Sequence, residues 1–304
     1  MKISLVATVK DAGLHVGAFL DSVRAQTRLP DEIVIVDGGS TDGTVETLRA
    51  ADDVTLIEEP GANIARGRNA AIRAATHDAI AVSDADCVLA PDWLANLERA
   101  LEEGAEVAAG FYRPLASTFF EACSAAVSLM EAHEVDGDRF LPSARSVAFR
   151  REAFEKAGGY PEWLDIGEDM FLNHRLREQG ARMDFVPEAV AYWRVRPTLG
   201  ATWRQYFRYA EGDALAGMHA TRHAVRFGVY GLAAAALPGR RSGLRRALGL
   251  AAGMYALPRV RRAWRLLPNR ARDRAGAAAA VPALMLLADA AKMVGYLTGR
   301  RRRS

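Results

Sequence analysis

The chain has 304 residues, half of them hydrophobic, and a formal net charge of +3. That length suits one large α/β domain with an appendage, or two domains. The two cysteines, Cys87 and Cys123, form no spacing pattern, which argues against a disulfide framework or a zinc site and fits a reducing cytoplasm. The apolar run before Lys10 is too short for a signal peptide and is typical of a first β-strand.

The first half of the chain alternates short apolar segments with segments of helical periodicity. The sequence predicts strands at 3–9, 32–40, 54–59, 79–86 and 106–114, and helices at 13–26, 41–51, 63–76 and 91–104. This alternation predicts an α/β fold with a mostly parallel, Rossmann-like sheet flanked by helices. Ligands of such sheets bind beyond the carboxyl ends of the strands.

The pattern is less regular between residues 115 and 150, where one helix is predicted at 117–133. A further helix follows Gly167 and ends at Gly180, a glycine that suits a helix C-terminus. A final strand is predicted at 183–195, followed by an aromatic and Arg-rich helix at 202–217.

The net charge conceals an uneven distribution. From Arg194 to the end, 21 Arg and 1 Lys stand against 4 acidic residues, so this part has an excess of 18 positive charges and residues 1–193 an excess of 15 negative charges. An Arg-rich segment predicts an anionic partner such as nucleic acid, a phosphorylated substrate or a membrane surface. Because these arginines interleave with apolar stretches instead of forming a polar basic face, nucleic acid is the weakest of the three.

Three apolar stretches lie in the C-terminal region, at 225–238, 244–257 and 275–298. The first two are shorter than the roughly 20 residues that span a bilayer, and the third contains Pro282 and two charged residues. Arginines flank the stretches on every side: Arg240, Arg241, Arg245 and Arg246, then those from Arg259 to Arg274, then Arg300 to Arg303.

Positive charge on both sides of these stretches does not match a single crossing helix, whose two ends should differ in positive charge. We therefore expect segments that lie on or dip into the cytoplasmic face of the cell membrane, with arginines on anionic head groups. The alternative is a helical subdomain packed on the α/β domain. The predicted domains are the α/β region at 1–215 and an apolar, Arg-rich, membrane-associated helical region at 216–304.

Two carboxylates, Asp84 and Asp86, follow a predicted buried strand. On an extended backbone, residues i and i+2 point to the same side. Two like charges so close repel each other, and a divalent cation would offset that repulsion. Mg²⁺ or Mn²⁺ with a diphosphate suits such a site, because these ions take one or two carboxylates together with phosphate oxygens. The alternative is a solvated turn.

Asp37 ends another predicted strand and precedes a Gly-rich segment. A carboxylate at this place accepts hydrogen bonds from a base N–H or a ribose hydroxyl. The alternative is that Asp37 and the residues after it form a turn that caps the next helix.

Several segments together resemble family 2 glycosyltransferases with the GT-A fold, over roughly residues 1–215. The segments are ISLVATVKDAG, EIVIVDGGSTDGT, ARGRNAAIRAA, SDAD and GEDMFLNHRL, in that order. The resemblance implies that Asp37 recognises the nucleotide base, in a pocket lined by backbone near Ala7 and Thr8. It also implies that Asp84 serves the ribose or the metal, and that Asp86 is the more usual metal ligand.

The resemblance further implies that Asp169, of the Glu-Asp pair, is the general base. Glu168 is expected either to bind an acceptor hydroxyl or to stand at the favourable N-terminus of its helix. Family members often carry an Arg-Asn pair near the nucleotide-sugar, which implies a donor or diphosphate contact for Arg68. Gln205 and Arg208 resemble part of a QxxRW motif, which implies contacts with the acceptor or a phosphate, although an interfacial helix explains them equally well.

These features predict an inverting, metal-dependent transfer of sugar from a nucleotide-diphosphate donor to a hydroxyl acceptor, possibly a polyprenyl lipid or a glycolipid. Such a reaction needs a base at the acceptor hydroxyl and a Lewis acid at the departing diphosphate. Two alternatives stay open: a sugar nucleotidyltransferase of similar fold, and a non-catalytic membrane-bound scaffold with a relic nucleotide pocket.

Overall fold

The computed structural model describes residues 1–236, 242–268 and 270–303. The chain forms two compact units. Unit 1 consists of Met1–Leu115 and Glu131–Arg194, and unit 2 of Ala116–Met130 and Val195–Ser304. The compact units therefore divide at residue 194, while the predicted functional boundary at residue 215 stays a prediction. The flanking arginines Arg240 and Arg241 lie outside the described residues.

Unit 1 is built on an eight-stranded sheet with the order β3-β2-β1-β4-β7-β6-β8-β5. The strands are β1 Ile3–Val9, β2 Glu32–Asp37, β3 Thr55–Glu58, β4 Ala79–Asp84, β5 Cys87–Leu89, β6 Val107–Leu115, β7 Val147–Arg150 and β8 Met183–Arg194. Strands β3, β2, β1 and β4 are parallel, as are β6 and β8, whereas β7 runs antiparallel to β4 and β6, and β5 runs antiparallel to β8. The predicted α/β fold with helices flanking a sheet is confirmed.

Helices surround this sheet and also form unit 2. They are α1 Leu14–Arg24, α2 Thr44–Arg49, α3 Ile64–Ala74, α4 Trp93–Glu102, α5 Phe119–Ser128, α6 Arg151–Lys156, α7 Glu168–Glu178, α8 Leu199–Ala216, α9 Ala220–Ala236, α10 Ser242–Leu266 and α11 Ala271–Arg303. Helix α5 and helices α8 to α11 belong to unit 2. The predicted strands and helices of unit 1 are present in the predicted order, with ends shifted by a few residues, whereas β5, β7 and α6 were not predicted.

The central strands of unit 1 are apolar on both sides because helices cover both faces of the sheet. In β1 every residue except Thr8 is buried, and in β4 every residue except Asp84. The polar exceptions stand at or next to the carboxyl ends of the strands. The hydrophobic pattern thus places the strands in the core, and the polar side chains lie at the carboxyl-end edge of the sheet.

Unit 2 has its own core. A buried stripe runs along α10 through Ala256, Val260 and Ala263 to Leu267, just after the helix, and its last three residues cluster with small residues of α5 and with Ala277, Val281 and Leu284 of α11. These positions recur every three or four residues, which keeps them on one side of each helix.

Helices α8 and α11 pack closely because glycines of α11 face α8. A Cβ atom at Gly295 would lie 2.1 Å from the carbonyl oxygen of Phe207, and one at Gly299 would lie 2.5 Å from that of Glu211. No real side chain fits at such distances, so these glycines permit the contact between the two backbones.

Helix α11 is also the one helix in the described part of the chain that is long and apolar enough, by length and composition, to cross a membrane. One stripe of it is nevertheless buried inside unit 2, from Ala277 to Gly299. A core helix of a water-soluble unit has the same length and composition, so this criterion alone does not distinguish the two.

Candidate active site

The sheet brings the predicted site residues of the first half together. Strand β1 lies between β2 and β4, and in these registers Val9 stands opposite Asp37 while Thr8 stands opposite Asp84. Ala7 lies one residue earlier, opposite Ile35 and Ser83. Asp37, Ala7, Thr8 and Asp84 therefore lie at the carboxyl ends of adjacent parallel strands, where ligands of α/β sheets bind.

Asp37 is only 1% exposed and organises the turn after β2. Its Oδ1 accepts hydrogen bonds from the backbone N–H groups of Gly39 and Ser40, at 3.0 and 2.9 Å, and the Ser40 hydroxyl donates to Oδ2. Gly39 has a φ of 93°, a conformation that glycine adopts at low cost. The turn expected from the sequence is present, and recognition of the base by Asp37 stays a prediction.

The two aspartates after β4 do not share one extended strand. The strand ends at Asp84, Ala85 and Asp86 form a turn, and β5 begins at Cys87. The prediction of a strand through residue 86 is wrong, because the chain must reverse here to place β5 beside β8. Asp84 and Asp86 are both partly exposed, and the thiol of Cys87 lies 3.8 Å from Asp86 Oδ1.

Asp84 is bound by a buried arginine from α3. Arg68 is 2% exposed, and its Nη2 lies 2.5 Å from Asp84 Oδ1 while its Nη1 donates to Glu168 Oε1. The aromatic ring of Tyr160 lies 5.4 Å from the guanidinium. Burial alone would lower the pKa of Arg68, but the charges of Asp84 and Glu168 hold it above its ordinary value.

Helix α3 reaches this position because it packs closely on β1. Asn63 caps its N-terminus by accepting from the backbone N–H of Arg66 at 2.9 Å. A Cβ atom at Gly67 would lie 2.8 Å from Thr8 Cγ2, so only glycine allows this approach without a shift. Arg68 follows Gly67 directly and is thereby brought to the strand end of β4. In the structure the Arg68 side chain bridges the carboxylates of Asp84 and Glu168. Its contact with a donor stays a prediction.

The adjacent carboxylates at the start of α7 have different surroundings. Glu168 is 5% exposed and paired with Arg68; burial and the neighbouring Asp169 raise its pKa to about 7, against the lowering effect of Arg68. Asp169 is partly exposed, and its Oδ2 accepts from the backbone N–H of Ala144 at 3.3 Å. Asp169 is therefore the carboxylate of this pair that a substrate can reach.

Sequence reasoning missed Arg145, which lies in the loop before β7. Its Nε lies 3.6 Å from Asp84 Oδ2, and its guanidinium lies over the rings of Trp193 at 4.4 Å and Tyr112 at 5.4 Å. The same loop supplies the N–H of Ala144 to Asp169. The segment 115–150 has no strong periodicity, so only the position of Arg145 just before an apolar strand could have indicated it.

The other predicted residues lie in unit 2. Gln205 and Arg208 are on α8, where Gln205 Nε2 donates to the hydroxyl of Tyr209 at 2.8 Å and Arg208 is exposed. Their predicted contacts with acceptor or phosphate stay predictions.

The chemistry of the site fits a divalent cation. Within the described residues, no group of three or more His, Cys, Asp or Glu side chains is arranged to hold a metal ion. Two positive and four negative side chains lie around the strand end of β4: Arg68, Arg145, Asp84, Asp86, Glu168 and Asp169. With every carboxylate ionised this leaves two negative charges, and Mg²⁺ or Mn²⁺ that also binds phosphate oxygens needs only one or two carboxylates.

Comparison with known proteins identifies the family and agrees with the fold. The profile of the family described as glycosyl transferase family 2 matches residues 4–157. The O-antigen chain rhamnosyltransferase RfbN of Salmonella typhimurium is 26% identical over 222 residues, which cover 68% of this chain and 71% of that protein. The succinoglycan biosynthesis protein ExoA of Rhizobium meliloti is 30% identical over 215 residues, which cover 66% of this chain and 65% of that protein.

Solved structures show the same fold. The mannosyltransferase PcManGT from Pyrobaculum calidifontis, in complex with GDP-Man and Mn²⁺, superposes with a TM-score of 0.62 at 22% identity, covering 96% of this chain and 87% of that one. TarS 1-349 of S. aureus, in complex with UDP-GlcNAc, gives a TM-score of 0.54 at 16% identity, covering 99% and 91%. The chain therefore belongs to glycosyl transferase family 2 and is a glycosyltransferase with the GT-A fold.

Proposed function

We propose that the chain is an inverting, metal-dependent glycosyltransferase that moves a sugar from a nucleotide-diphosphate donor to a hydroxyl of a lipid-linked or other saccharide acceptor. The observation that carries this proposal is the division of the carboxylates between two places. Asp84 and Asp86 lie at the strand end of β4, and the accessible Asp169 lies at the start of α7, linked to Asp84 through Arg68 and Glu168.

Each carboxylate has a task that its surroundings favour. Asp169, held by the N–H of Ala144, would accept the proton of the acceptor hydroxyl as it attacks the anomeric carbon. Asp86, with Asp84, would hold Mg²⁺ or Mn²⁺, and a bound divalent ion stabilises the charge of a departing diphosphate. The named complex of PcManGT with GDP-Man and Mn²⁺ supports a divalent metal and a nucleotide-sugar for this chain.

The names of the relatives support a role in making cell-surface polysaccharide. They include the O-antigen rhamnosyltransferase and the succinoglycan protein, and a poly-β-1,6-N-acetyl-D-glucosamine synthase of Staphylococcus aureus. We infer that the acceptor is a growing saccharide, carried on a polyprenyl lipid or glycolipid. The Arg-rich unit 2 would hold the enzyme at the cytoplasmic face of the cell membrane, on anionic lipid.

Transfer assays with site variants test this proposal. UDP-, GDP- and dTDP-sugars are screened with Mn²⁺ for donor hydrolysis and transfer, and the active donor is then used with variants. Asp169→Asn and Asp86→Ala should each lower turnover by roughly 10²-fold or more, and Asp169→Asn should still bind the donor. Asp52→Asn changes an exposed carboxylate elsewhere in unit 1 and should leave turnover unchanged.

Two results would contradict the proposal. Near-normal turnover in Asp169→Asn would show that Asp169 is not the general base. Near-normal turnover in Asp86→Ala would show that Asp86 is not an essential metal ligand. Release of pyrophosphate from a nucleoside triphosphate, instead of a nucleoside diphosphate from a nucleotide-sugar, would identify a nucleotidyltransferase.

A further inference from the structure

Exposed apolar side chains are concentrated in unit 2. Among the residues that the structure describes, 16 large hydrophobic side chains are exposed, and 14 of them belong to unit 2. Leu29 and Trp163 are those of unit 1. Water-soluble proteins rarely expose contiguous apolar patches, and such patches mark binding surfaces. The arrangement on α9 and α10 shows what kind of surface this is.

Helix α10 carries an exposed apolar stripe on the side away from its core. Leu250, Met254 and Leu257 are 70%, 76% and 41% exposed, and their spacing of four and then three residues keeps them on one side of the helix. At 100° per residue, the centre of this side lies about 120° around the helix from the centre of the buried stripe that begins at Ala256 and Val260. A helix on the surface of a water-soluble protein would carry polar residues there.

Helix α9 repeats the arrangement. Val225, Val229 and Leu232 are 61%, 54% and 52% exposed and share one side of the helix. His223, which is 2% exposed, lies roughly opposite this side, and the half-buried Arg226 lies about a quarter turn from it. We call the six exposed residues of the two helices the apolar ridge.

Exposed arginines continue both halves of the apolar ridge. On α9, Arg222 precedes Val225 by three residues, and on α10, Arg261 and Arg265 follow Leu257 on the same side of the helix. Arg222, Arg261 and Arg265 are all exposed. A helix with an apolar side bordered by arginines is typical of helices that lie in the interface of a bilayer, with apolar side chains below the head groups and arginines on anionic phosphates.

Helix α11, despite its length and apolar composition, is a poorer membrane contact. Its stripe from Ala277 to Gly299 is buried within unit 2. Its Asp289 accepts from Arg226 Nε at 2.9 Å and from the Tyr230 hydroxyl at 3.0 Å, both on α9. These contacts bind one side of α11 to the rest of unit 2, although Leu286, Val294 and Leu297 on α11 are also exposed. Helices α9 and α10 each combine an exposed apolar side with exposed arginine on the same side.

We infer that the apolar ridge is a docking surface for a lipid bilayer with anionic head groups, on which α9 and α10 lie along the interface. This inference rests on the membrane location in the proposed function and adds the residues that make the contact. The excess of positive charge from Arg194 onwards matches an anionic partner, and the separate apolar side of each helix matches a bilayer better than a soluble polyanion.

Sedimentation of the full-length chain with extruded vesicles tests the inference. The chain should bind phosphatidylcholine vesicles that contain phosphatidylglycerol, and bind pure phosphatidylcholine vesicles more weakly. Leu250→Glu/Met254→Glu should weaken binding about tenfold or more, because two carboxylates would enter the apolar layer of an anionic surface. Leu29→Glu, which adds a carboxylate at a 55% exposed leucine of unit 1, should bind like the wild type.

The other outcomes decide against the inference. Wild type that stays in the supernatant, or a double variant that binds as the wild type does, overturns it. Light scattering that shows a wild-type dimer and a monomeric double variant would make the ridge a contact between copies of the chain. Should circular dichroism show that the double variant is unfolded, Val225→Glu/Val229→Glu tests the other half of the ridge.

Donor hydrolysis, measured in every variant, separates this inference from the proposed function. Ridge variants that hydrolyse the donor normally but lose vesicle binding support the docking surface. A chain that binds vesicles through the ridge and hydrolyses no nucleotide-sugar would contradict the proposed function alone.

Discussion

The bridge from Arg68 to Asp84 and Glu168 should be essential to the stability of unit 1. Arg68→Met keeps much of the side-chain volume and removes the guanidinium. It would leave the carboxylate of Glu168, whose side chain is only 6% exposed, beside Asp169 with no cation bound to it. The Asp84 carboxylate would be destabilised less, because its side chain is 17% exposed and Arg145 Nε still lies 3.6 Å from its Oδ2.

The expected cost follows from this geometry. Removing one partner of a buried ion pair costs about 3–5 kcal/mol, which is a large share of the roughly 5–15 kcal/mol that stabilises a typical domain. Arg68→Met should therefore lower the free energy of unfolding by about 3–5 kcal/mol and still leave a folded population. The measurement is urea unfolding followed by circular dichroism.

A matched control and a double variant make this prediction specific. Arg66 lies two residues away on the same helix, is paired with Glu59 and is 57% exposed, so Arg66→Met should cost no more than about 1 kcal/mol. Arg68→Met/Glu168→Gln should recover part of the loss, because it removes the buried negative charge as well. Equal losses for Arg66→Met and Arg68→Met, or a double variant whose loss equals the sum of its single losses, would refute the reasoning.

Two further predictions concern packing and pH. Gly295→Ala should destabilise the chain in thermal unfolding, since its Cβ would meet the backbone of α8. Gly249→Ala is the control: a Cβ there has no atom within 4 Å, so the change should be neutral or stabilising by up to about 1 kcal/mol. Equal effects of the two changes would contradict the close packing of α8 and α11. The pKa of Glu168 is raised to about 7 in the folded chain, so the fold binds the proton of this carboxyl more tightly than the unfolded chain does. The stabilisation is complete below the ordinary pKa of a glutamate and is lost as the pH rises through about 7. The free energy of unfolding of the wild type, relative to Glu168→Gln, should therefore fall between about pH 5 and pH 7 in urea unfolding, and a constant difference would contradict this.

Most elements of unit 1 could be predicted, because their signals are local; the short elements β5, β7 and α6 were not. The apolar run of β1 and the helical periodicity of α3 each depend on neighbours within a few residues, and the observed ends differ from the predicted ones by only a few positions. Strand β4 was predicted two residues too long, because the turn at Ala85 and Asp86 depends on the pairing of β5 with the distant strand β8.

The connections within the site could not be predicted from local patterns. Arg68 lies 100 residues from Glu168 along the chain, and their contact depends on how α3 and α7 pack around the sheet. Arg145 lies in a segment without periodicity, so nothing in its neighbourhood along the chain indicates Asp84, Tyr112 or Trp193 as partners. The sequence thus indicated the candidate carboxylates and Arg68, but neither the contacts of Arg68 with Asp84 and Glu168 nor the presence of Arg145 in the site.

Those arginines change how the pair Asp84 and Asp86 is understood. The sequence presents two carboxylates separated by one residue, whose repulsion a metal ion would relieve. In the fold, each oxygen of Asp84 already has a guanidinium near it, from Arg68 on one side and Arg145 on the other. The charge of Asp84 is therefore largely balanced by the protein, so we infer that it positions the strand end while Asp86 is the stronger candidate for the metal. On this reasoning, Asp84→Asn should lower the free energy of unfolding, measured with urea, more than Asp86→Asn does. Asp86→Asn should weaken Mn²⁺ binding, measured by calorimetry, more than Asp84→Asn does. The reverse order in both measurements would show that Asp84 is the principal ligand.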